Sequence, residues 1–497
     1  MPLAVFSLDL LSENMLLLVA LLFFAAILLS KIGARIGVPV LLLFLVLGVL
    51  VGSEGLGINF EDYHLAESMG HFAMTVILFA SGLETSARNV KPVMRQGMLL
   101  SSAGVFLNVI FTGLFVFFVL RPFADTGLQA SVAGCMLVAA VMSSTDSASV
   151  FSVLREKRLR LRENLGQLLE LESGSNDPMA FILTLLLVQY LAPGSYSIGI
   201  PGPEWLNMAV MLVLQVGIGL AVGLAAGILG SWLLSRIKLP GGSLYSILIL
   251  SLGFLADGLA GVLGGNGLLA IYVAALIIGN HMKGSFTREV FSFFNGMTWL
   301  MQLSMFLMLG LLARPSMMGV SALPSLLIGL FMMFVARPLS VFICLAPFKD
   351  LSFRAKLMVS WVGLKGAGPI LFALSPVVAG LEGAGAIFNL VFCITLLSLV
   401  VQGSTLIPVS RWLRLSYDDE PQVESFGMEL PEEMGMLRDH VVSEEDLSAG
   451  ATLRELSLPH GIRVMMVRRD GKFLVPHGSM KLQAGDHLLI VMGESDD

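Results

Sequence analysis

Two polar stretches, Ser143-Ser-Thr-Asp-Ser-Ala-Ser149 and Glu172-Ser-Gly-Ser-Asn-Asp-Pro178, interrupt segments that are otherwise apolar. They place the carboxylates of Asp146, Glu172 and Asp177 inside two predicted membrane spans. An ionisable side chain at membrane depth is expensive and usually marks a functional site. Three carboxylates among clustered hydroxyls and an amide suit a small hydrated cation. The two stretches therefore predict an intramembrane cation site.

The composition predicts a polytopic membrane protein. Hydrophobic residues make up 56% of the 497 positions, charged residues make up 13%, and the mean hydropathy is +0.85. About a quarter of the residues of a soluble domain are charged, so a soluble globular fold is excluded. The three cysteines lie in apolar segments without paired spacing, which predicts neither a disulfide framework nor a zinc site.

About thirteen segments approach the length that a membrane span needs, about 20 apolar residues. They cover residues 13–30, 38–52, 66–84, 98–120, 128–154, 163–191, 205–235, 243–263, 265–279, 290–313, 319–345, 354–379 and 383–413. Three are interrupted: the fifth at Thr145-Asp146, the sixth at Asn176-Asp-Pro178 and the twelfth at Lys365-Gly366. Pro178 and Pro369 lack an N–H group, so we expect them, with Gly366, to break their helices.

Charge predicts the orientation. Connections after odd-numbered spans hold 17 lysines and arginines, and those after even-numbered spans hold 2. Basic loops stay in the cytoplasm, which places the N-terminus outside and the C-terminus inside a bacterial inner (plasma) membrane. The acidic C-terminal part, with a net charge of −10 from residue 415 onward, makes nucleic acid an improbable partner.

The fifth and twelfth segments break seven spans apart, so the second half is inverted relative to the first. Broken helices at matching positions of two inverted repeats are typical of a secondary transporter with its site at the midplane. The predicted fold is therefore an all-α polytopic membrane protein with two inverted repeats and broken helices. A small α+β cytosolic domain is predicted at the C-terminus.

Spacing brings the site residues together. Ser173 and Asp177 are four residues apart and share one helix face, which permits a site made of Asp177, Ser173 and the Thr145 hydroxyl, with Asp146 alongside. Burial disfavours a charged carboxylate, so Asp177 can hold a proton or a metal cation, but not both. Presented to each side of the membrane in turn, this competition couples the two fluxes.

A buried ion pair is also predicted between Glu172 and Lys365, because an unpaired charge at membrane depth would cost about 3–5 kcal/mol. This pair would tie the twelfth span to the sixth. Arg337 and Asp257 are further intramembrane charges, for which we favour a role in locking helices together.

Several motifs in order give the segment from residue 1 to 413 a specific resemblance to the NhaP-type branch of the monovalent cation/proton antiporters, which includes potassium/proton antiporters of the cell-volume-regulation type. They are Thr145-Asp146, Glu172-Ser173 with Asn176-Asp-Pro178, Gly265-Asn-Gly-Leu-Leu-Ala270, Ala336-Arg-Pro338, Trp361-Val-Gly-Leu-Lys-Gly-Ala367 and Gln402-Gly-Ser-Thr-Leu406.

The resemblance implies a thirteen-helix inverted repeat, a homodimer, elevator-like alternating access, and electroneutral exchange where Asn precedes the binding Asp. By position it implies an ion site of Asp177, Ser173, Asp146 and Thr145, with Asn176 beside it. The chain departs from the family in two places: Lys365 stands where relatives usually have Arg, and Ala80 where many have Glu.

The C-terminal part forms a separate module. Residues 414–433 are predicted to be an acidic linker, and residues 434–497 resemble the TrkA-C (RCK-C) domain of potassium-uptake regulators. The expected strands are 463–468, 472–475 and 488–492, with a hairpin turn at Asp470-Gly471. The resemblance implies regulation by dimerisation or by a small cytosolic ligand such as a nucleotide, and it tilts the expected cation toward K⁺ by analogy.

The predicted function is exchange of K⁺ or Na⁺ for H⁺ across the bilayer, without a cofactor and without enzymatic chemistry. A ligand-gated cation channel is the alternative, although no Thr-Val-Gly-Tyr-Gly filter is present. An intramembrane enzyme is a third possibility, with Asp146 and Asp177 imitating an aspartyl dyad. It leaves the flanking hydroxyls and the inverted repeat unexplained.

Overall fold

A computed structural model describes residues 15–36, 39–120, 131–157, 159–192, 204–282, 286–418, 437–442, 444–447, 452–455, 462–469 and 472–492. The chain divides into two compact units, Met1–Tyr417 and Asp418–Asp497. The predicted end of the membrane domain, residue 413, lies just before this division. The residues directly after 413 still belong to the first unit, where the Arg162 amide donates to the Leu415 carbonyl at 2.8 Å.

The first unit is built from helices and one small sheet, which pairs β1 (Leu159–Leu161) with β2 (Ser416–Asp418). The helices are α1 (Met15–Ile36), α2 (Val40–Val51), α3 (Tyr63–Glu84), α4 (Ala87–Val90), α5 (Met94–Leu99), α6 (Val105–Leu120), α7 (Val132–Val141), α8 (Ser147–Glu156), α9 (Leu165–Leu191), α10 (Glu204–Arg236), α11 (Gly242–Val262), α12 (Gly267–His281), α13 (Thr287–Leu311), α14 (Pro315–Phe331), α15 (Arg337–Leu345), α16 (Phe353–Trp361), α17 (Ala367–Phe372), α18 (Leu374–Val378) and α19 (Ala384–Trp412).

Six helical stretches of the described chain are long and apolar enough to cross a membrane. They are Ala87–Val119, Leu206–Arg236, Gly242–Val262, Thr287–Leu311, Pro315–Leu345 and Ala384–Trp412. Shorter apolar helices accompany them, two of which are the halves of predicted broken spans: Val132–Val141 and Ala367–Val378. The count of thirteen spans and the inverted repeat stay predictions.

Two of the three predicted helix breaks are confirmed. The fifth segment is interrupted between α7 and α8, and the twelfth between α16 and α17. The break predicted in the sixth segment at Pro178 is wrong, because α9 runs without interruption from Leu165 to Leu191. Pro178 removes only one backbone donor, and a buried helix tolerates that loss where its neighbours hold it in place.

Pro369 lies in the first turn of α17, where its missing N–H group would have had no helical partner. The twelfth segment therefore breaks before this proline, over residues 362–366. Gly366 precedes the helix and has no room for a side chain, since an added Cβ would lie 2.1 Å from Asp146 Oδ2. The two broken segments meet at this glycine.

The second unit contains a four-stranded antiparallel sheet in the order β3-β6-β4-β5 and a short helix α20 (Glu444–Leu447). The strands are β3 (Leu437–Val441), β4 (Ile462–Arg469), β5 (Lys472–Leu474) and β6 (His487–Met492). The three predicted strands are confirmed, and Arg469 pairs with Lys472. The predicted turn residues Asp470 and Gly471 lie outside the described residues, as do linker residues 419–433.

An ion pair between Arg469 and the buried carboxylate of Asp486 anchors this sheet. Arg469 donates from Nε to Asp486 Oδ1 at 2.8 Å and from Nη2 to Asp486 Oδ2 at 2.6 Å. The Gln483 amide donates to the same carboxylate at 2.8 Å. The Arg469 hydrogen bonds hold the pKa of Asp486 below its usual value. The pair therefore stabilises the folded domain only while Asp486 is ionised.

We expect this contribution to be complete above the unfolded-state pKa of Asp, about 3.9, and to be lost as the pH falls through the lower folded-state value. Asp486→Asn should increase hydrogen exchange of the β6 amides in the full chain at pH 7. At pH 3 the variant and the wild type should differ less, after correction for intrinsic exchange rates. Equal differences at both pH values would contradict the prediction.

Candidate functional site

The two broken segments hold each other through backbone groups. The Asp146 amide donates to the Leu364 carbonyl at 2.8 Å, and Lys365 Nζ donates to the Ser144 carbonyl at 2.8 Å. Helical hydrogen bonding leaves backbone groups at such breaks without partners, which is costly inside a membrane. The crossing of the two segments supplies some of those partners.

Helix α9 fixes the first break from the side. Asn176 Nδ2 donates to Thr145 Oγ1 at 2.6 Å, and Ser173 Oγ donates to the Thr145 carbonyl at 2.6 Å. The Ser147 amide in turn donates to Ser173 Oγ at 3.1 Å. The structure thus brings together three of the predicted site residues, Thr145, Ser173 and Asn176, and bonds them to one another. Their side chains hold the unwound backbone in a single conformation.

Asp177 lies at the crossing with one carboxylate oxygen engaged. Ser144 Oγ donates to Oδ1 at 2.5 Å, and no hydrogen bond from the described residues reaches Oδ2. The residue is 9% exposed. One oxygen is therefore held in place while the other remains open to a proton or a cation.

Asp146 caps the helix that follows it. The Ser149 amide donates to Oδ1 at 3.0 Å, and the Ser149 hydroxyl donates to Oδ2. This is the position that Asp favours before a helix, where its charge also faces the positive end of the helix dipole. Asp146 thus lies at the crossing, as predicted, and orients α8 in addition.

The predicted ion pair between Glu172 and Lys365 is wrong in its partner. Arg337 Nη1 lies 2.5 Å from Glu172 Oε1, and both side chains are buried. A second nitrogen, Nη2, donates to the Val359 carbonyl at 3.5 Å. Lys365 instead uses its ammonium group on the Ser144 carbonyl. The Arg337 guanidinium suits this position better than the Lys365 ammonium group, because its separate nitrogens can contact a carboxylate and a carbonyl at the same time. This agrees with the helix-locking role expected for Arg337.

Three polar residues that were not predicted as members of the site complete the crossing, and two of them support the second break. Ser398 Oγ accepts from the Lys365 amide at 2.9 Å and donates to Gln402 Oε1 at 2.6 Å. Gln402 Nε2 then donates to the Trp361 carbonyl at 2.9 Å. The spacing of Ser398 and Gln402 could have indicated this role, because they lie four residues apart on one face of the apolar helix α19. Ser144, the partner of Asp177, is the third.

Asp257 belongs to a different part of the unit. Thr75 Oγ1 donates to its Oδ2 at 3.1 Å, and His71 Nδ1 lies 3.8 Å from the same oxygen. The carboxylate therefore links α3 to α11, in agreement with the expected helix-locking role.

Comparison with known proteins gives two family matches. The model of the sodium/hydrogen exchanger, transmembrane family matches residues 19–412. The model of the TrkA-C domain matches residues 437–496. The first match contains all the residues of the helix crossing, and the second contains the four-stranded sheet.

Curated relatives cover nearly the whole chain. A K(+)/H(+) antiporter NhaP2 from Shewanella sp. (strain ANA-3) is 37% identical over 478 residues, which is 96% of this chain and 80% of the relative. A K(+)/H(+) antiporter NhaP from Alkalimonas amylolytica is 33% identical, covering 97% and 81%. An Na(+)/H(+) antiporter ApNhaP from Aphanothece halophytica is 28% identical, covering 73% and 69%.

A solved structure shares the fold. The sodium proton antiporter MjNhaP1 from Methanocaldococcus jannaschii superposes with a TM-score of 0.65 at 23% identity, covering 79% of this chain and all of that one.

The Glu172–Arg337 pair predicts a coupled stability effect. Glu172→Gln or Arg337→Met alone leaves one buried charge unpaired and should destabilise the unit by about 3–5 kcal/mol. The double variant should lose far less than the sum. Thermal unfolding of the detergent-solubilised full chain measures these changes in a double-mutant cycle. The matched cycle combines Glu172→Gln with Lys365→Met. A coupling energy larger in this cycle than in the Glu172–Arg337 cycle would support the Glu172–Lys365 pair predicted from the sequence.

Proposed function

Because the chain belongs to the sodium/hydrogen exchanger, transmembrane family, we propose that it exchanges a monovalent cation for protons, with Asp177 carrying both in turn. The observation that carries this proposal is the position of the Asp177 carboxylate. It lies where two broken helices cross, with Oδ1 fixed by Ser144 and no hydrogen-bond donor from the described part of the chain on Oδ2. Such a protein is a transporter and not an enzyme.

Exchange follows from competition for one carboxylate. Burial disfavours the bare negative charge, so Asp177 is occupied by a proton or by a metal cation. A carrier that changes sides only when occupied returns one ion for each ion of the other kind. Ser144 orients the Asp177 carboxylate but, as a neutral donor, does not compensate its charge. The proton-bound and the cation-bound forms both require this.

The cation is an alkali ion, and K⁺ is the first candidate. The donors at the crossing are hydroxyl, carbonyl and carboxylate oxygens, and such hard donors suit alkali ions better than soft ligands would. The relatives described above at 37% and 33% identity are named K(+)/H(+) antiporters. Na⁺ is the second candidate, after the more distant relative.

Exchange is electroneutral in this proposal because Asn176 is uncharged. Its amide group is used to hold Thr145, so the position before Asp177 adds no titrating group to the site. Asp146 supplies a second negative charge that attracts the cation while it caps α8. One proton then moves against one cation.

Alternating access completes the proposed mechanism. The broken helices would move as an elevator-like core within a homodimer, in a thirteen-span inverted repeat with the N-terminus outside a bacterial inner membrane. The 17 to 2 distribution of basic residues supports this orientation. The TrkA-C domain would adjust exchange in response to a small cytosolic ligand or to dimerisation. A ligand-gated channel is less well supported, because the matched family consists of exchangers.

Asp177→Asn removes the group that exchanges ions and should abolish cation-driven proton movement in everted vesicles, followed with a pH-sensitive dye. The matched control is Asp257→Asn, which removes another intramembrane carboxylate and keeps an acceptor for Thr75. The control should retain exchange. Exchange at the wild-type rate by Asp177→Asn would refute the site.

Two substitutions of Asp146 separate its charge from its capping role. Asn also caps helices well, so Asp146→Asn should fold like the wild type but need at least about tenfold more cation for half-maximal exchange, as a lost charge at a buried site implies. Asp146→Ala should in addition lower the apparent melting temperature. Equal melting temperatures for the two variants would argue against the cap.

A further inference from the structure

A cavity of about 430 Å³ lies close to the ion site, between α3, α9, α12 and the segment formed by α17 and α18. Its polar lining comes from Glu67, Ser68, His71 and Ser375. No lysine or arginine is among the residues that line it. None of these groups takes part in the crossing described above, so the cavity has no assigned role.

Only a thin layer separates this cavity from Asp177. Met74 and Phe372 line the cavity, and Gly368 lies next to both of them. A Cβ added to Gly368 would lie 3.3 Å from Met74 Cε and 3.0 Å from Ser144 Oγ. Ser144 is the residue that donates to Asp177. The Met74 side chain and the Gly368 backbone therefore lie between the cavity and Ser144, the hydrogen-bond donor to Asp177.

This layer is tightly packed in the structure. A Cβ added to Gly70 on α3 would lie 2.1 Å from Leu371 Cδ1 on α17, so the two helices touch with no space between them. The ring of Phe372 lies 5.4 Å from the ring of Phe181, centroid to centroid. The passage from the cavity to Asp177 is closed here by side chains, two of which belong to the second broken segment.

Glu67 gives the cavity a negative charge. Its Oε1 accepts from the Ser375 hydroxyl at 2.8 Å, so the carboxylate on α3 bonds directly to α18 across the cavity. Ser375 is a neutral donor and leaves the charge uncompensated. A cleft that carries one sign of charge between apolar walls raises the local concentration of the opposite ion.

We propose that this cavity is the outer access path of the ion site, that Met74, Leu371 and Phe372 are its closed gate, and that Glu67 concentrates the cation within it. The proposal rests on the exchange function and on the orientation inferred from charge, which places the start of α3 outside. Opening would separate α3 from α17 and break the Glu67–Ser375 hydrogen bond. The gate side chains would then uncover Ser144 and Asp177.

Cation dependence tests the role of Glu67. In sealed right-side-out vesicles, Glu67→Gln should raise the external K⁺ concentration for half-maximal exchange about three- to tenfold, with the maximal rate largely kept. Glu67→Asp should restore most of the loss. The matched control is Glu61→Gln, which removes an exposed carboxylate that precedes the same helix and pairs with Arg314. Equal effects of Glu67→Gln and Glu61→Gln would overturn the role, because surface charge alone would explain them.

Thiol labelling tests the gate. In a full-length chain with its three cysteines replaced by alanine, Met74→Cys should react with an impermeant cationic methanethiosulfonate added outside, and reaction should block exchange. Labelling should be faster during turnover than at rest, because the gate must open. Glu61→Cys should be labelled without loss of exchange.

Labelling of Met74→Cys only from the inner side, or labelling that leaves exchange intact, would overturn the proposed gate. Either result would leave the exchange function standing, because the unmodified protein still exchanges ions in the same vesicles. Absence of cation-driven proton movement in the wild type would refute the exchange function itself.

Discussion

The structure depends on the need to satisfy backbone polar groups where two helices are interrupted inside a membrane. Water is absent at that depth, so each unpaired amide or carbonyl costs several kcal/mol. The first break meets this need through the Leu364 carbonyl and the Lys365 ammonium group, which pair with Asp146 and Ser144. The second broken segment thus supplies hydrogen-bond partners to the backbone of the first.

The same constraint creates the site. The side chains that stabilise the breaks form hydrogen bonds to the unwound segments: Ser173 to the Thr145 carbonyl, Asn176 to the Thr145 hydroxyl, and Ser398 to the Lys365 amide. Asp177 is different, since within the described structure one hydroxyl donates to its Oδ1 and no donor reaches its Oδ2. A rigid polar frame around one incompletely satisfied carboxylate is what ion exchange requires, because the cation and the proton must be the groups that complete it.

The outer cavity extends this view to dynamics. Its floor includes Leu371 and Phe372, which lie in the helix that begins at the second break. In the proposed mechanism, the segment that shapes the ion site therefore also closes the passage to it. A movement of this segment away from Gly70 would then change both the access to the site and the site itself.

The sequence alone determined the membrane class, most helix boundaries to within a few residues, the two breaks at Thr145-Asp146 and Lys365-Gly366, and the grouping of Asp146, Thr145 and Ser173 with Asp177. The fourth span is an exception, because its helical stretch begins at Ala87 and not at residue 98. These features follow from local composition and helical spacing. Only the tertiary structure decided that α9 continues through Pro178, that Glu172 pairs with Arg337, and that Ser144, Ser398 and Gln402 complete the frame. Such contacts join residues distant in the chain, so their partners are set by which helices pack together and by how far each side chain reaches.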